Sequence, residues 1–189
     1  MELLDSVRAT ALADVRSVPV SRYAPQFNKD ALTASLVEHN IAYGYAGGSL
    51  GGRPRSPSLF TAGVADYEKM AALDSFSVAI ARLIEATERH RIAVMCSEGD
   101  PLDCHRCLLI GRVLANRSIQ VGHVLPSGEV VNHGQTEERL LEIEELTETA
   151  LLFRTHEERL AEAYRSRARR VAYAESADRL VGAPEARRA

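Results

Sequence analysis

The stretch Ile92–Arg106 constrains this chain more than any other. Its opening residues, IAVMC, form an apolar run with β-branched members, of the kind that fills a buried parallel strand. SEGD follows as a short acidic loop. Asp100-Pro101 then has the form of a helix start, an acid at the N-cap and proline at the first helical position. Leu102–Ala115 continues with helical spacing. A strand closed by Cys96 therefore feeds through an acidic loop into a helix that opens with Cys104-His105-Arg106.

The rest of the chain repeats this logic. Ala11–Arg16 reads as a short apolar strand, Lys29–His39 as a helix through Ala31, Leu32, Ser35 and Leu36, and Ile41–Tyr45 as a second strand. AGGSLGGRPRSPS, with four glycines and two prolines, reads as a loop of the functional or mobile kind. Tyr67–Arg91 carries apolar residues at helical intervals and leads into the strand at Ile92. Ile119–Leu125 supplies a fourth strand, and SGE at 127–129 a turn. The expected fold is α/β, a Rossmann-like three-layer domain with a mostly parallel sheet over residues 1–134. A C-terminal helical extension over 135–180 follows, with helices at about 136–153 and 156–175. Thr155-His-Glu-Glu158 has the form of a capping box, and residues 181–189 are expected to fray.

Bulk properties exclude several classes. With 189 residues, 46% hydrophobic and 26% charged side chains, the chain can bury a real core, and a net charge of −3 gives no global attraction to nucleic acid or anionic membrane. No apolar run is long enough to cross a bilayer, and MELLDSVRAT lacks the layout of a secretory signal, so a cytoplasmic location and no membrane partner are expected. Three cysteines clustered within Cys96–Cys107 suit a reduced compartment and a local site better than a disulfide framework.

Ligands of open parallel sheets bind outside the carboxyl ends of the strands. Arg16 and Ser17 follow the first strand, Gly47 and Gly48 the second, and Cys96 closes the third, so these residues fall on one edge. A helix amino terminus beside Arg106 or a protonated His105 favours thiolate, whereas Glu98, Asp100 and Asp103 oppose it. The leading expectation is a thiol-dependent enzyme with Cys96 or Cys104 as thiolate and His105 as acid/base. Arg16, Arg22 and Arg106 would clamp a small anionic or nucleotide-like ligand beside Ser17, Gly47 and Gly48. Two alternatives stand beside it. The first is a non-catalytic nucleotide or nucleic-acid binding module using the rim Arg16, Arg22, Arg53 and Arg55. The second is a metal protein in which Cys96, Cys104 and Cys107 supply sulfur ligands and His123 or His133 completes the shell. Cys104-His-Arg-Cys107 also has the spacing of a redox pair, and any of these cysteines is equally a small core residue. GGSLGG lacks the lysine and serine of a P-loop and the G-x-G-x-x-G spacing, so no nucleotide fingerprint is present and no cofactor is named.

The segments ADVRSVPVSRYAPQFNKDAL, IAYGYAGGSLGG, MCSEGDPLDCHRCLLIGRVL and GHVLPSGEVVNHG together resemble the DUF488 family, a domain of unknown function. The resemblance implies an α/β fold, with Asp14, Arg16, Ser17, Pro19, Ser21 and Arg22 in one motif and Cys96, Cys104, His105 and Arg106 in the other. It also implies an extra strand of the type TIGHS ahead of the first helix. Here the chain starts inside that helix, so an exposed sheet edge or a covering partner is expected. DVRS looks like the opening of a rhodanese domain, but the first arginine after Cys96 is Arg106, too distant for a cysteine-phosphatase loop.

The tail carries one further expectation. Leu140, Ile143, Leu146, Ala150 and Phe153 form one apolar stripe and Leu160, Tyr164 and Val171 another. Such stripes pack on their own domain or, less often, make a homodimer.

Overall fold

The computed structural model describes residues 1–147 and 153–175. A short helix α1 (Glu2–Ser6) leads to strand β1 (Ala11–Asp14), helix α2 (Lys29–Glu38) and strand β2 (Ala42–Tyr45), followed by a single turn α3 (Gly47–Leu50). A small hairpin β3 (Phe60–Thr61) and β4 (Val64–Ala65) precedes helices α4 (Tyr67–Ala71) and α5 (Asp74–Ala86) and strand β5 (Ile92–Met95). Next come a 3₁₀ turn (Pro101–Asp103), a π-helical segment (Arg106–Gly111) that runs straight into α6 (Arg112–Asn116), and a second hairpin β6 (Gly122–Val124) and β7 (Val130–Asn132). Helices α7 (His133–Ile143) and α8 (His156–Val171) complete the described fold.

β1, β2 and β5 form a parallel sheet in the order β2-β1-β5, with Leu12 opposite Tyr43 and Ala93. Alternation along the strands sorts side chains into two layers. Leu12, Tyr43, Ala93 and Met95 meet Leu32 and Leu36 of α2. Val15, Val94 and Cys96 face the larger core of Phe76, Ile80, Leu108–Ile110, Leu140 and Tyr164. Period two therefore puts the thiol of Cys96 on the side of the Cys104–Arg106 turn.

Several expectations are corrected. Ile119–Leu125 is not a fourth strand of the sheet: β6 pairs antiparallel with β7. The SGE turn, with Gly128 at φ 88°, closes a hairpin whose local pairing satisfies the backbone without a crossover. Tyr67–Arg91 breaks into α4 and α5, with the Asp66 carboxylate capping α4 through Glu68 and Lys69 N–H. Asp100 caps as expected, accepting from Leu102 N at 2.9 Å, but the helix it opens begins as 3₁₀ and π turns before becoming α-helical. Helix α7 starts earlier than expected, because Asn132 and Gln135 form a capping box missed in the sequence. The expected box at Thr155 and Glu158 is present.

Leu140, Leu146, Leu160, Tyr164 and Val171 pack into the domain's own core, so the two apolar stripes face inward. Phe153 departs from its stripe and is fully exposed. Ala150 and the tail at 181–189 lie outside the described residues. No described helix is long and apolar enough to cross a membrane.

AGGSLGG, expected as a loop, contains the turn α3, and this turn comes very close to the end of β1. A Cβ on Gly47 would lie 2.0 Å from the Arg16 carbonyl oxygen. Gly47→Ala is therefore expected to lower stability by about 3 kcal/mol in urea denaturation, whereas Gly48→Ala, which meets no atom within 4 Å, should be tolerated.

Candidate functional site

The carboxyl end of β1 is organised by a buried ion pair. Asp14, fully buried, accepts from Arg16 Nε at 2.9 Å, Arg16 Nη2 at 2.7 Å and Tyr43 Oη at 2.9 Å. Burial acts to raise the Asp14 carboxyl, but the Arg16 and Tyr43 hydrogen bonds outweigh it and hold the group below the usual carboxylate range. Arg16 Nη2 also donates to the Phe27 carbonyl at 2.8 Å. The anion clamp expected of Arg16 is thus corrected: its guanidinium serves Asp14 and the chain that follows β1.

One residue further, the Val15 carbonyl lies 3.2 Å from His105 Nε2. A carbonyl can only accept, so Nε2 carries the proton and Nδ1 presents its lone pair. That lone pair faces Cys96 Sγ at 3.5 Å and Cys104 Sγ at 3.9 Å. Glu98 Oε2 lies 2.9 Å from Cys96 Sγ and 3.0 Å from Cys104 Sγ. The sequence candidates Cys96, Cys104 and His105 therefore converge, and Glu98 joins them as a fourth member.

The two thiols have opposite tendencies. Cys96 is half-buried, and the hydrogen bond from Cys104, with help from His105 once its Nδ1 has taken up a proton, outweighs burial and the nearby Glu98 carboxylate to lower its pKa to about 6. Cys104 is buried and pushed upward by Cys96, by desolvation and by Glu98. Backbone support comes from Arg106 N–H, 3.4 Å from Cys104 Sγ. Of the other acids expected to oppose a thiolate, Asp100 is paired with Arg139 of α7 and Asp103 with Arg167 of α8. The C-terminal helices thereby cancel two of the three opposing charges.

Cys107 is fully buried and belongs to a different group of ligand atoms from Cys96 and Cys104, so the three sulfurs are not gathered into one metal-ligand set among the described residues. Ser17, Gly47 and Gly48 line a cavity of about 360 Å³ together with Arg53 and Arg55. Ser17 Oγ accepts from Arg53 N at 3.0 Å. Its wall at Gly51–Arg53 also touches the site, since a Cβ on Gly52 would lie 2.7 Å from His105 Cγ. Arg106 is half-buried and reaches the Gly99 carbonyl at 3.4 Å. Arg22 is only partly buried and does not line this cavity.

A family model described as "Domain of unknown function DUF488" matches residues 1–113. The chain belongs to this family. The match covers β1, β5 and every member of the thiol cluster, and ends at the start of α6; the arginines that neutralise Asp100 and Asp103 lie beyond it. No curated protein and no solved structure matches the chain.

Sequence reasoning missed Asp14 as a structural acid and treated Glu98 only as an opposing charge. The i,i+2 spacing of Asp14 and Arg16 at a strand end was the available signal for the first. Iodoacetamide should alkylate one thiol with a midpoint near pH 6, and Cys96→Ser should abolish that phase. Glu98→Gln should move the midpoint lower still, because it removes a charge opposing the thiolate. A rate rising only around the ordinary thiol value of about 8.5 would contradict this assignment.

Proposed function

We propose that this DUF488 protein is a thiol-dependent enzyme acting on a small anionic or nucleotide-like ligand. Cys96 is the nucleophile, and His105, with its unprotonated Nδ1 aimed at the sulfur, takes up and returns a proton. Cys104 donates its thiol hydrogen bond to the Cys96 thiolate and holds it in place. The reading rests above all on the lone-pair face of His105, fixed by the Val15 carbonyl at 3.2 Å and turned toward Cys96 at 3.5 Å. The anionic character of the ligand is inferred from Arg53 and Arg55 in the cavity behind His105, which take the place of Arg16 and Arg22 in the sequence expectation. Arg53 is held by its cation–π contact with Tyr173, 5.2 Å from the ring centroid.

One observation favours a second reading. Two sulfurs, a carboxylate oxygen and an imidazole nitrogen lie within 4.8 Å of one another, a donor set suited to zinc, and a cation there would relieve the crowding of three acidic groups.

A panel of phosphate esters and nucleotides tests the enzyme. Wild-type protein is expected to turn over at least one class, Cys96→Ser to abolish turnover, and His105→Ala to lower kcat by about 100-fold or more. Arg53→Ala with Arg55→Ala should raise KM with kcat little changed. Undiminished turnover by the Cys96→Ser/Cys104→Ser double variant would overturn the thiol mechanism.

A further inference from the structure

A second group of metal-ligating side chains lies away from the thiol site, built from Cys107 of the π-helical segment, His123 of β6 and His133 at the start of α7. All three are buried, exposed by 0%, 3% and 6%, and one ligand atom from each lies within 4.8 Å of the others. They come from three separate elements of one continuous stretch of chain, which the domain core brings to one point.

The hydrogen bonds around His133 decide which of its nitrogens is available. Tyr164 Oη donates to Glu137 Oε1 at 2.9 Å and so accepts from His133 Nε2 at 3.0 Å. Nε2 therefore carries the proton and His133 Nδ1 offers its lone pair inward, 2.9 Å from His123 Nε2. A histidine whose outer nitrogen is held by a chain ending in a carboxylate is the arrangement that orients imidazole ligands in metal sites. Without an ion, the inward lone pair accepts from His123 Nε2–H, while the Cys107 thiol has no hydrogen-bond partner among the described residues. Gly111 clears space for the ring, since a Cβ there would lie 3.2 Å from His133 Cε1.

The geometry points to a zinc site formed by Cys107 Sγ, His123 Nε2 and His133 Nδ1, with a fourth position for water or a small ligand. Tetrahedral zinc with bonds of about 2.0–2.3 Å separates its donors by about 3.3–3.6 Å, so the histidine pair needs to open by only a few tenths of an ångström. Binding shifts the His123 proton to Nδ1 and releases the Cys107 thiol proton to solvent. A cavity of about 660 Å³ reaches His133 between the end of α6 and the β6–β7 hairpin and gives an ion a route in. The π-helical segment that carries Cys107 suits this role, since π turns within helices occur frequently at functional sites.

The test separates this site from the zinc reading of the thiol cluster. Full-length protein is stripped with a chelator, reloaded with Zn²⁺, and analysed for metal content and by X-ray absorption. The expected result is one zinc per chain bound by one sulfur at about 2.3 Å and two imidazole nitrogens at about 2.0 Å. Stoichiometric zinc should persist in Cys96→Ser/Cys104→Ser and fall at least tenfold in Cys107→Ser/His123→Gln. Circular dichroism checks that the second variant is folded, and the ligand count in the wild-type protein decides the matter if it is not. Two sulfurs per zinc would move the ion to Cys96 and Cys104 and overturn the assignment, as would the absence of stoichiometric zinc after reloading.

Discussion

The buried pair of Asp14 and Arg16 is the interaction on which the site depends. It sits where β1 ends, and it joins four pieces of chain: the strand, Tyr43 of β2, the Phe27 carbonyl and the backbone that leaves toward Ser17. Removing one member of such a pair strands the other in a low-dielectric interior at a cost of about 3–5 kcal/mol. The pair fixes the direction in which the chain leaves β1. That direction sets the Val15 carbonyl against His105 and the Arg16 carbonyl against Gly47.

From that anchor the chemistry follows by hydrogen-bond direction. A carbonyl on one side of an imidazole leaves a lone pair on the other, and β5 and the Cys104 turn place two sulfurs and Glu98 there. Two thiols and a carboxylate in a half-enclosed space do not ionise alike. Cys96, nearer solvent and supported by Cys104 and by a His105 that takes the proton at Nδ1, is favoured as thiolate, while the enclosed Cys104 keeps its proton. The C-terminal helices belong to this balance as well as to the core, because Arg139 and Arg167 neutralise the acids at the start of the following helix.

Much of this was legible in the sequence. The β–α–β unit, the Asp100-Pro101 helix start and the convergence of Cys96, Cys104 and His105 follow from local pattern and from the rule for strand ends. The hairpin at β6 and β7 was not legible as such, since a short apolar run reads alike for a parallel strand and an antiparallel one. The role of Arg16 was also misread. An arginine after a strand suggests an anion, and only the position of Asp14 and Tyr43 shows that its partner is internal.

The sequence by itself determined the kinds of side chain, their spacing and the strand that delivers Cys96, because hydrophobic period and helix-start chemistry act over a few residues. The tertiary structure decided which of them meet. It divided the cysteines, placing Cys96 and Cys104 with Glu98 and His105, and Cys107 with His123 and His133. The physical reason is that the π-helical turn and the packing of separate elements against one another fix these distances, and neither acts within the local window that a sequence pattern records.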